Sequence, residues 1–245
     1  MIAVHQLHKT LGQQEVLRGI DLQVVPGETC VIMGRSGCGK SVLLKHFIGL
    51  LQPTSGQVLI DGEDIAGLPE RKLGAVRKKV GMLFQSGALF DSMTVEENIA
   101  FPLYEVGLRD AKVVEERVHE ALDMVDLLGA EKKMPESLSG GMRKRVGLAR
   151  TIVARPACIL YDEPTTGLDP ITSDSINHLI RRLQRRLRVT SVVVTHDMHT
   201  AFHTADRVAF LHEGSIYFIG TVDELRASPD SVVQDFIQGR SGESD

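Results

Sequence analysis

The chain has 245 residues, 42% of them hydrophobic and 24% charged, enough apolar side chain to bury a substantial core in one unit. Its formal net charge of −4 argues against a general nucleic-acid binder, whose affinity comes from clustered Lys and Arg opposite phosphates. The longest apolar runs fall far short of the roughly 20 residues needed to cross a bilayer; no basic region precedes an apolar signal core, and the scattered Cys30, Cys38 and Cys158 fit a reducing compartment without metal-ligand spacing.

Val4–Leu7 and Val16–Val25 carry the short alternating or apolar patterns of strands, and Thr29–Met33 is a near-continuous apolar run bounded by Pro26-Gly27 and Gly34. After a glycine-rich loop, Leu43, Leu44, Phe47, Ile48 and Leu51 recur at helical spacing and predict a helix that runs until Pro53. Gln57–Ile60 with the Asp61-Gly62 turn predicts a hairpin, and Val80–Phe84 a further strand. From about Val95 to Arg155 the chain reads as helical, with Val113, Val114, Val118, Ala121, Leu122 and Val125 on one amphipathic face. Strand signals resume at Ala157–Tyr161, Ser191–Thr195 and Val208–Leu211 around the helical stretch Thr172–Leu187, the alternation of a mainly parallel sheet covered by helices. Leu225 and Val232–Ile237 suggest short closing helices, and Arg240–Asp245 a frayed polar tail. Within the basic run Arg181–Arg188, Leu179, Leu183 and Leu187 keep helical spacing, so the arginines read as a solvated helix face rather than a binding surface.

Gly34-Arg35-Ser36-Gly37-Cys38-Gly39-Lys40-Ser41 matches the P-loop pattern and lies between an apolar strand and a helix, the context its chemistry requires. Glycines let the backbone wrap a phosphate so that amides of the loop and of the helix start, through Val42, point at the negative oxygens. Lys40 then offers positive charge to the β- and γ-phosphates, and the Ser41 hydroxyl a ligand for Mg²⁺. Cys38 takes a variable loop position and reads as a tolerated small side chain. Cys158–Glu163 is an apolar strand ending in two acids. Asp162 is placed to hold the metal, and Glu163 to polarise the water that attacks the γ-phosphate. Alone, such a pair is more simply a helix N-cap or an exposed turn; the upstream P-loop and the following Pro164–Pro170 segment reverse that preference.

Leu138-Ser139-Gly140-Gly141-Met142 looks like the signature motif of the ABC ATPases, opening a helix through Arg143–Ala154. With the P-loop, Gln85, Asp162-Glu163, Asp169 and His196 in that family's order, the resemblance covers nearly the whole chain. It implies an α/β fold: a P-loop NTPase (RecA-like) core with a mainly parallel sheet, an antiparallel β-subdomain and an inserted helical subdomain. Residues 1–239 would form one nucleotide-binding domain, with the core at about 1–90 and 157–220, the helical subdomain at about 91–156, closing helices at 221–239 and a tail at 240–245. Ser139, Gly140 and Gly141 would bind the γ-phosphate of ATP held by a second copy, with a serine hydroxyl, glycine amides and a helix N-terminus as the anion site. Gln85 would touch the metal and attacking water, Asp169 would cross the dimer interface, and His196 would contact the γ-phosphate. The catalytic set implied is therefore Glu163, His196, Gln85 and Lys40, with Ser41, Gln85 and Asp162 on Mg²⁺.

Two departures stand out. Leu11 occupies the usual adenine-stacking aromatic position, which predicts weaker stacking and a less certain preference for ATP over GTP. Met142 replaces the commoner glutamine, and with the stretches Gly39–Lys45, Phe84–Val95 and Glu97–Leu103 it resembles the Mla phospholipid-transport branch. That branch implies an integral-membrane permease (MlaE-like) docking after Gln85, an MCE-domain lipid-binding protein, and a peripheral place on the cytoplasmic face of the bacterial inner membrane. The alternatives are an ATPase serving a small polar solute, whose catalytic motifs would be the same, a non-transport ABC ATPase, or a pure nucleotide-binding regulator. Coiled-coil arms and a second P-loop, which would mark the non-transport class, are lacking.

Overall fold

A computed structural model describes residues 1–240, so most of the expected tail at 240–245 lies outside the described residues. Two sheets organise it. The first is antiparallel, in the order β2 (Gln14–Val24), β1 (Ile2–Leu11), β4 (Ser55–Ile60) and β5 (Glu63–Asp64). Asp61 and Gly62, at φ 52° and 81°, make the β4–β5 turn from two left-handed residues, as the Asp-Gly pair predicts. The second sheet runs β10 (Ser215–Gly220), β9 (Arg207–His212), β3 (Thr29–Met33), β8 (Thr190–Thr195), β7 (Cys158–Asp162) and β6 (Val80–Leu83). Its strands pair in parallel from β9 to β6, and β10 closes the edge antiparallel to β9.

The central strands are buried on both faces, which is why their middles read as apolar runs without alternation, Cys30–Met33, Cys158–Tyr161 and Val192–Val194. Successive residues alternate between two cores. Val31, Met33, Ile159, Tyr161 and Val193 pack with the helical region, while Cys30, Ile32, Cys158, Leu160 and Val192 pack towards the antiparallel sheet. Each such aliphatic side chain stabilises the fold by about 1.5–3 kcal/mol relative to an exposed one.

Among the described residues the α-helices are α1 (Lys40–His46), α2 (Glu70–Lys79), α3 (Val95–Glu105), α4 (Ala111–Met124), α5 (Gly140–Ile152), α6 (Pro170–Leu187), α7 (Met198–Thr204), α8 (Val222–Arg226) and α9 (Ser231–Ile237), with a 3-10 turn at Pro135–Ser137. The expected continuation of α1 to Pro53 is corrected. Gly49, at φ 64°, ends it: its amide donates to His46 O (3.1 Å) and that of Leu50 to Lys45 O (2.9 Å), the paired bonds of a Schellman close. Phe47 and Ile48 stay buried in the turns beyond the helix, so their periodicity mimics a longer one.

Sequence periodicity gives no expectation for α2, α7 or β10, and the structure shows why. Helix α2 buries only Leu73 and Val76, the inner face of α7 is Thr200, Ala201 and Thr204, and β10 leaves both Tyr217 and Ile219 exposed. None of these offers a clean apolar stripe or alternation. The basic run on α6 is held by acids of neighbouring elements: Arg181 by Asp206 (2.9 Å), Arg182 by Asp126 (2.5 Å) and Arg186 by Asp123 (3.7 Å).

Candidate nucleotide-hydrolysis site

Parallel register delivers four loops to one edge of the sheet. Met33 pairs with Thr195, Asp162 with Val194, and Leu83 with Tyr161, so β3, β8, β7 and β6 end side by side. Their next residues are Gly34, His196, Glu163 and, one beyond Phe84, Gln85. The carboxyl edge of an open α/β sheet is where ligands bind, and it gathers residues far apart in sequence.

After β3 the loop from Gly34 to Gly39 turns back on itself. Gly37 and Gly39 sit at φ 80° and 106°, and a Cβ on Gly34 would lie 2.3 Å from Leu211 O, so backbone geometry at these points excludes larger residues. Lys40 is buried and donates to Gly34 O (2.9 Å) and Arg35 O (3.0 Å), with Glu163 Oε1 3.8 Å away. The Cys38 thiol, part-buried in the loop, is pushed above its ordinary range by burial, which outweighs the nearby Lys40, so its reactive thiolate is suppressed.

Ser41 Oγ donates to Asp162 Oδ1 at 2.7 Å, bringing a hydroxyl and a carboxylate together at the base of the loop. Gln85 lines the opening beside Asp162. Hard oxygen donors of this kind suit Mg²⁺, and Ser41, Asp162 and Gln85 could hold it. Glu163 adopts φ 48°, a left-handed conformation that costs a residue with a Cβ on the order of 1–3 kcal/mol and persists here because its amide donates to Val194 O (2.9 Å). The reversal turns its buried carboxylate back towards the loop, where Thr195 Oγ1 (3.4 Å) and Thr166 Oγ1 (3.3 Å) donate to Oε2. His196 Nδ1 lies 3.0 Å from Oε1. A carboxylate so held, between a lysine and a histidine, can orient a water and take its proton.

A cleft of about 380 Å³ joins the loop to Gln85, Glu163 and His196, with Leu11 and Val16 at its side. Leu11 is substantially exposed there, presenting an aliphatic surface where a base would stack.

Ser139, Gly140 and Gly141 do not line this cleft. Ser139 caps α5, its Oγ accepting from Met142 N at 3.2 Å. A Cβ on Gly141 would meet Thr172 Cγ2 at 2.6 Å and one on Gly140 would meet Leu168 Cδ2 at 3.2 Å, so both glycines let α5 pack against the start of α6. Ser139 and Gly140 remain exposed. Asp169 caps α6, accepting from Ile171 N and Thr172 N (both 3.0 Å) and Thr172 Oγ1 (2.6 Å), with Pro170 in the first turn. These bonds, led by the Thr172 hydroxyl, hold the Asp169 carboxyl below its ordinary range.

Sequence reasoning missed Lys144. Buried on α5, it donates to the Gln85 carbonyl and to Glu163 O (3.3 Å), tying the two loops together from behind. Burial lowers its pKa, opposed by the charges of Asp162 and Glu163. The available signal was a lysine on the same buried stripe as Gly141, Leu148 and Ile152. Asn98 was missed as well: fully buried on α3, it donates to Phe90 O, Met93 O and Thr94 O (3.1, 3.0 and 3.0 Å) and accepts from Phe90 N (2.8 Å), fixing the segment after Gln85.

The ABC transporter family model matches residues 17–166, and the chain belongs to that family. It is an ABC-type ATPase, the ATP-binding subunit of a transporter. It is 41% identical over 239 residues to the probable ribonucleotide transport ATP-binding protein mkl of Mycobacterium leprae, covering 98% of this chain and 69% of that one. Identity is also 41% over 241 residues with the intermembrane phospholipid transport system ATP-binding protein MlaF of Haemophilus influenzae, covering 98% of this chain and 91% of that one. The dimeric post-hydrolysis structure of the ATP-binding cassette MJ0796, bound to ADP and Pi, superposes with a TM-score of 0.83 at 32% identity, over 91% of this chain and 99% of that one.

Proposed function

We propose that this ATPase powers transport of phospholipid between membranes through a separate integral-membrane permease, working as an ATP-sandwich dimer on the cytoplasmic face of the bacterial inner membrane. The observation that carries the lipid reading is the likeness to MlaF over nearly the full length of both chains. Residues 1–239 act as one nucleotide-binding domain. An MlaE-like permease and an MCE-domain protein are the partners. An open groove of about 530 Å³ beside the segment after Gln85, with Leu50, Met82, Phe84, Phe101 and Val106 among its walls, supports permease docking. Its apolar floor suits the apolar face of an amphipathic helix.

In this reading ATP takes the cleft, with loop amides on its phosphates and Lys40 turning from Gly34 O and Arg35 O to the β- and γ-phosphates. Mg²⁺ held by Ser41, Asp162 and Gln85 would neutralise phosphate charge. Glu163 aligns a water for in-line attack on the γ-phosphorus and accepts its proton, and His196 holds the γ-phosphate. Ser139, Gly140 and Gly141 of the second copy close the site, and Asp169 lies at the seam.

A second reading, transport of a small polar solute, draws on mkl, whose name gives ribonucleotide as its cargo. The test is affinity purification of the tagged chain from native membranes in mild detergent, with mass spectrometry of bound proteins and lipids. A permease with an MCE protein and bound phospholipid is the expected result. A permease with a solute-binding protein and no lipid overturns the lipid reading and leaves the ATPase intact.

A further inference from the structure

Helices α6 and α7 pack side by side, and each carries two potential metal ligands one turn apart. Asp174 and His178 stand on α6, His199 and His203 on α7, and none has a part in the hydrolysis site. Ligand atoms of Asp174, His199 and His203 lie within 4.8 Å of one another, with His199 Nε2 3.7 Å from Asp174 Oδ1. The His199 and His203 rings stack at 3.9 Å between centroids. His178 borders the cluster, its Nδ1 3.5 Å from Asp174 Oδ2. Asp174 is partly buried and the histidines are exposed, so the cluster opens to solvent ions.

The far side of each ring is held in a way that suits metal binding. His203 Nδ1 lies 2.9 Å from His199 O; donation to that carbonyl leaves its Nε2 with the lone pair. Behind His199 stands Asn177, fully buried, its amide 3.4 Å from His199 Nδ1 and its Oδ1 without a hydrogen-bond partner. Turning that amide over brings Oδ1 to the ring N–H, satisfies the orphaned oxygen, and puts the lone pair on the His199 Nε2 that faces Asp174. An acceptor on one imidazole nitrogen with the other left free is the outer-shell arrangement of ligating histidines.

We propose that Asp174, His199 and His203 form a site for a divalent transition metal of the Zn²⁺ class, with water as fourth ligand. Imidazole with carboxylate favours such an ion over Mg²⁺ or Ca²⁺, which take oxygen ligands. Small side-chain rotations bring the donors to the about 2.0–2.2 Å that Zn²⁺ requires. The ion would staple α6, which opens at Asp169, to α7, which opens at Asp197 beside His196. It would thereby join two segments flanking the hydrolysis site, although the proposal does not rest on the transport reading.

The test titrates the full chain, free of nucleotide and Mg²⁺, with Co²⁺ followed by visible absorption and with Zn²⁺ by calorimetry. One equivalent is expected to bind with the ligand-field bands of a four-coordinate site. His199→Ala and His203→Ala should each weaken binding about tenfold or more, while His119→Ala, which removes an exposed histidine on α4, should not change it. Metal-free melting curves of all variants should match the parent. No saturable binding, or binding unchanged by His199→Ala and His203→Ala, overturns the proposal.

Discussion

The two regions to which the proposed mechanism assigns phosphate binding are built in opposite ways. At the sheet edge, Lys40, Glu163 and His196 converge inside one chain, the lysine and carboxylate buried and 3.8 Å apart. At the start of α5, Ser139 and Gly140 are equally well set, by a cap and by packing against Leu168, but are exposed and lie outside the cleft at that edge. An exposed, pre-organised helix start on the same chain as the cleft is the arrangement that the proposed ATP-sandwich dimer requires, each copy completing the other's site. The contrast also separates the effects of substitution: damage to the inner region should act on the chain's own nucleotide, damage to the outer region on its partner's.

Lys40→Ala should show the largest binding effect, weakening ATP about a hundredfold in equilibrium dialysis, because charge-assisted hydrogen bonds to phosphate contribute about 1.5–3 kcal/mol each. Ser139→Ala should break the symmetry of that result. ATP affinity of the isolated chain stays at the parental value while steady-state turnover falls about tenfold or more, with about 1 kcal/mol lost from the α5 cap in thermal melts. Lys144→Met sharpens the inner side. Without a common tie between the Gln85 and Glu163 backbones, kcat should drop about tenfold with KM nearly unchanged, since small misplacements of reacting groups cost that much or more; Lys144→Arg should recover part of the loss. The smallest effect belongs to Leu11→Tyr, which should tighten adenine nucleotides by about threefold to tenfold through stacking, read by competition between ATP and GTP.

Much of this was legible in sequence because it is local. The P-loop glycines announce left-handed or crowded backbone, and Cys30–Met33 and Cys158–Tyr161 are apolar throughout because both their faces are buried. What escaped depends on tertiary placement. No residue near Lys144 shows that its ammonium will reach the carbonyls of Gln85 and Glu163, nor does the segment around Asn98 show that its amide will hold the chain from Phe90 to Thr94. The end of α1 differs from the expectation because the buried Phe47 and Ile48 keep the helical period past His46, its last residue, while Gly49 closes the turn behind them. Likewise, the proximity of Asp174, His199 and His203 exists only once α6 and α7 pack.

The most direct test of the two-region account is the solution mass of Glu163→Gln chains, measured by light scattering with and without ATP. Loss of the carboxylate should lower turnover about 10²–10⁴-fold without loss of binding, so ATP should convert one-chain particles into stable two-chain particles. Adding Ser139→Glu, which sets a negative charge against the partner's γ-phosphate, should leave ATP bound but keep the one-chain mass. Glu163→Gln chains that bind ATP and stay single, or that still pair when Ser139→Glu is added, would contradict the claim that each hydrolysis site is completed by the signature residues of a second copy.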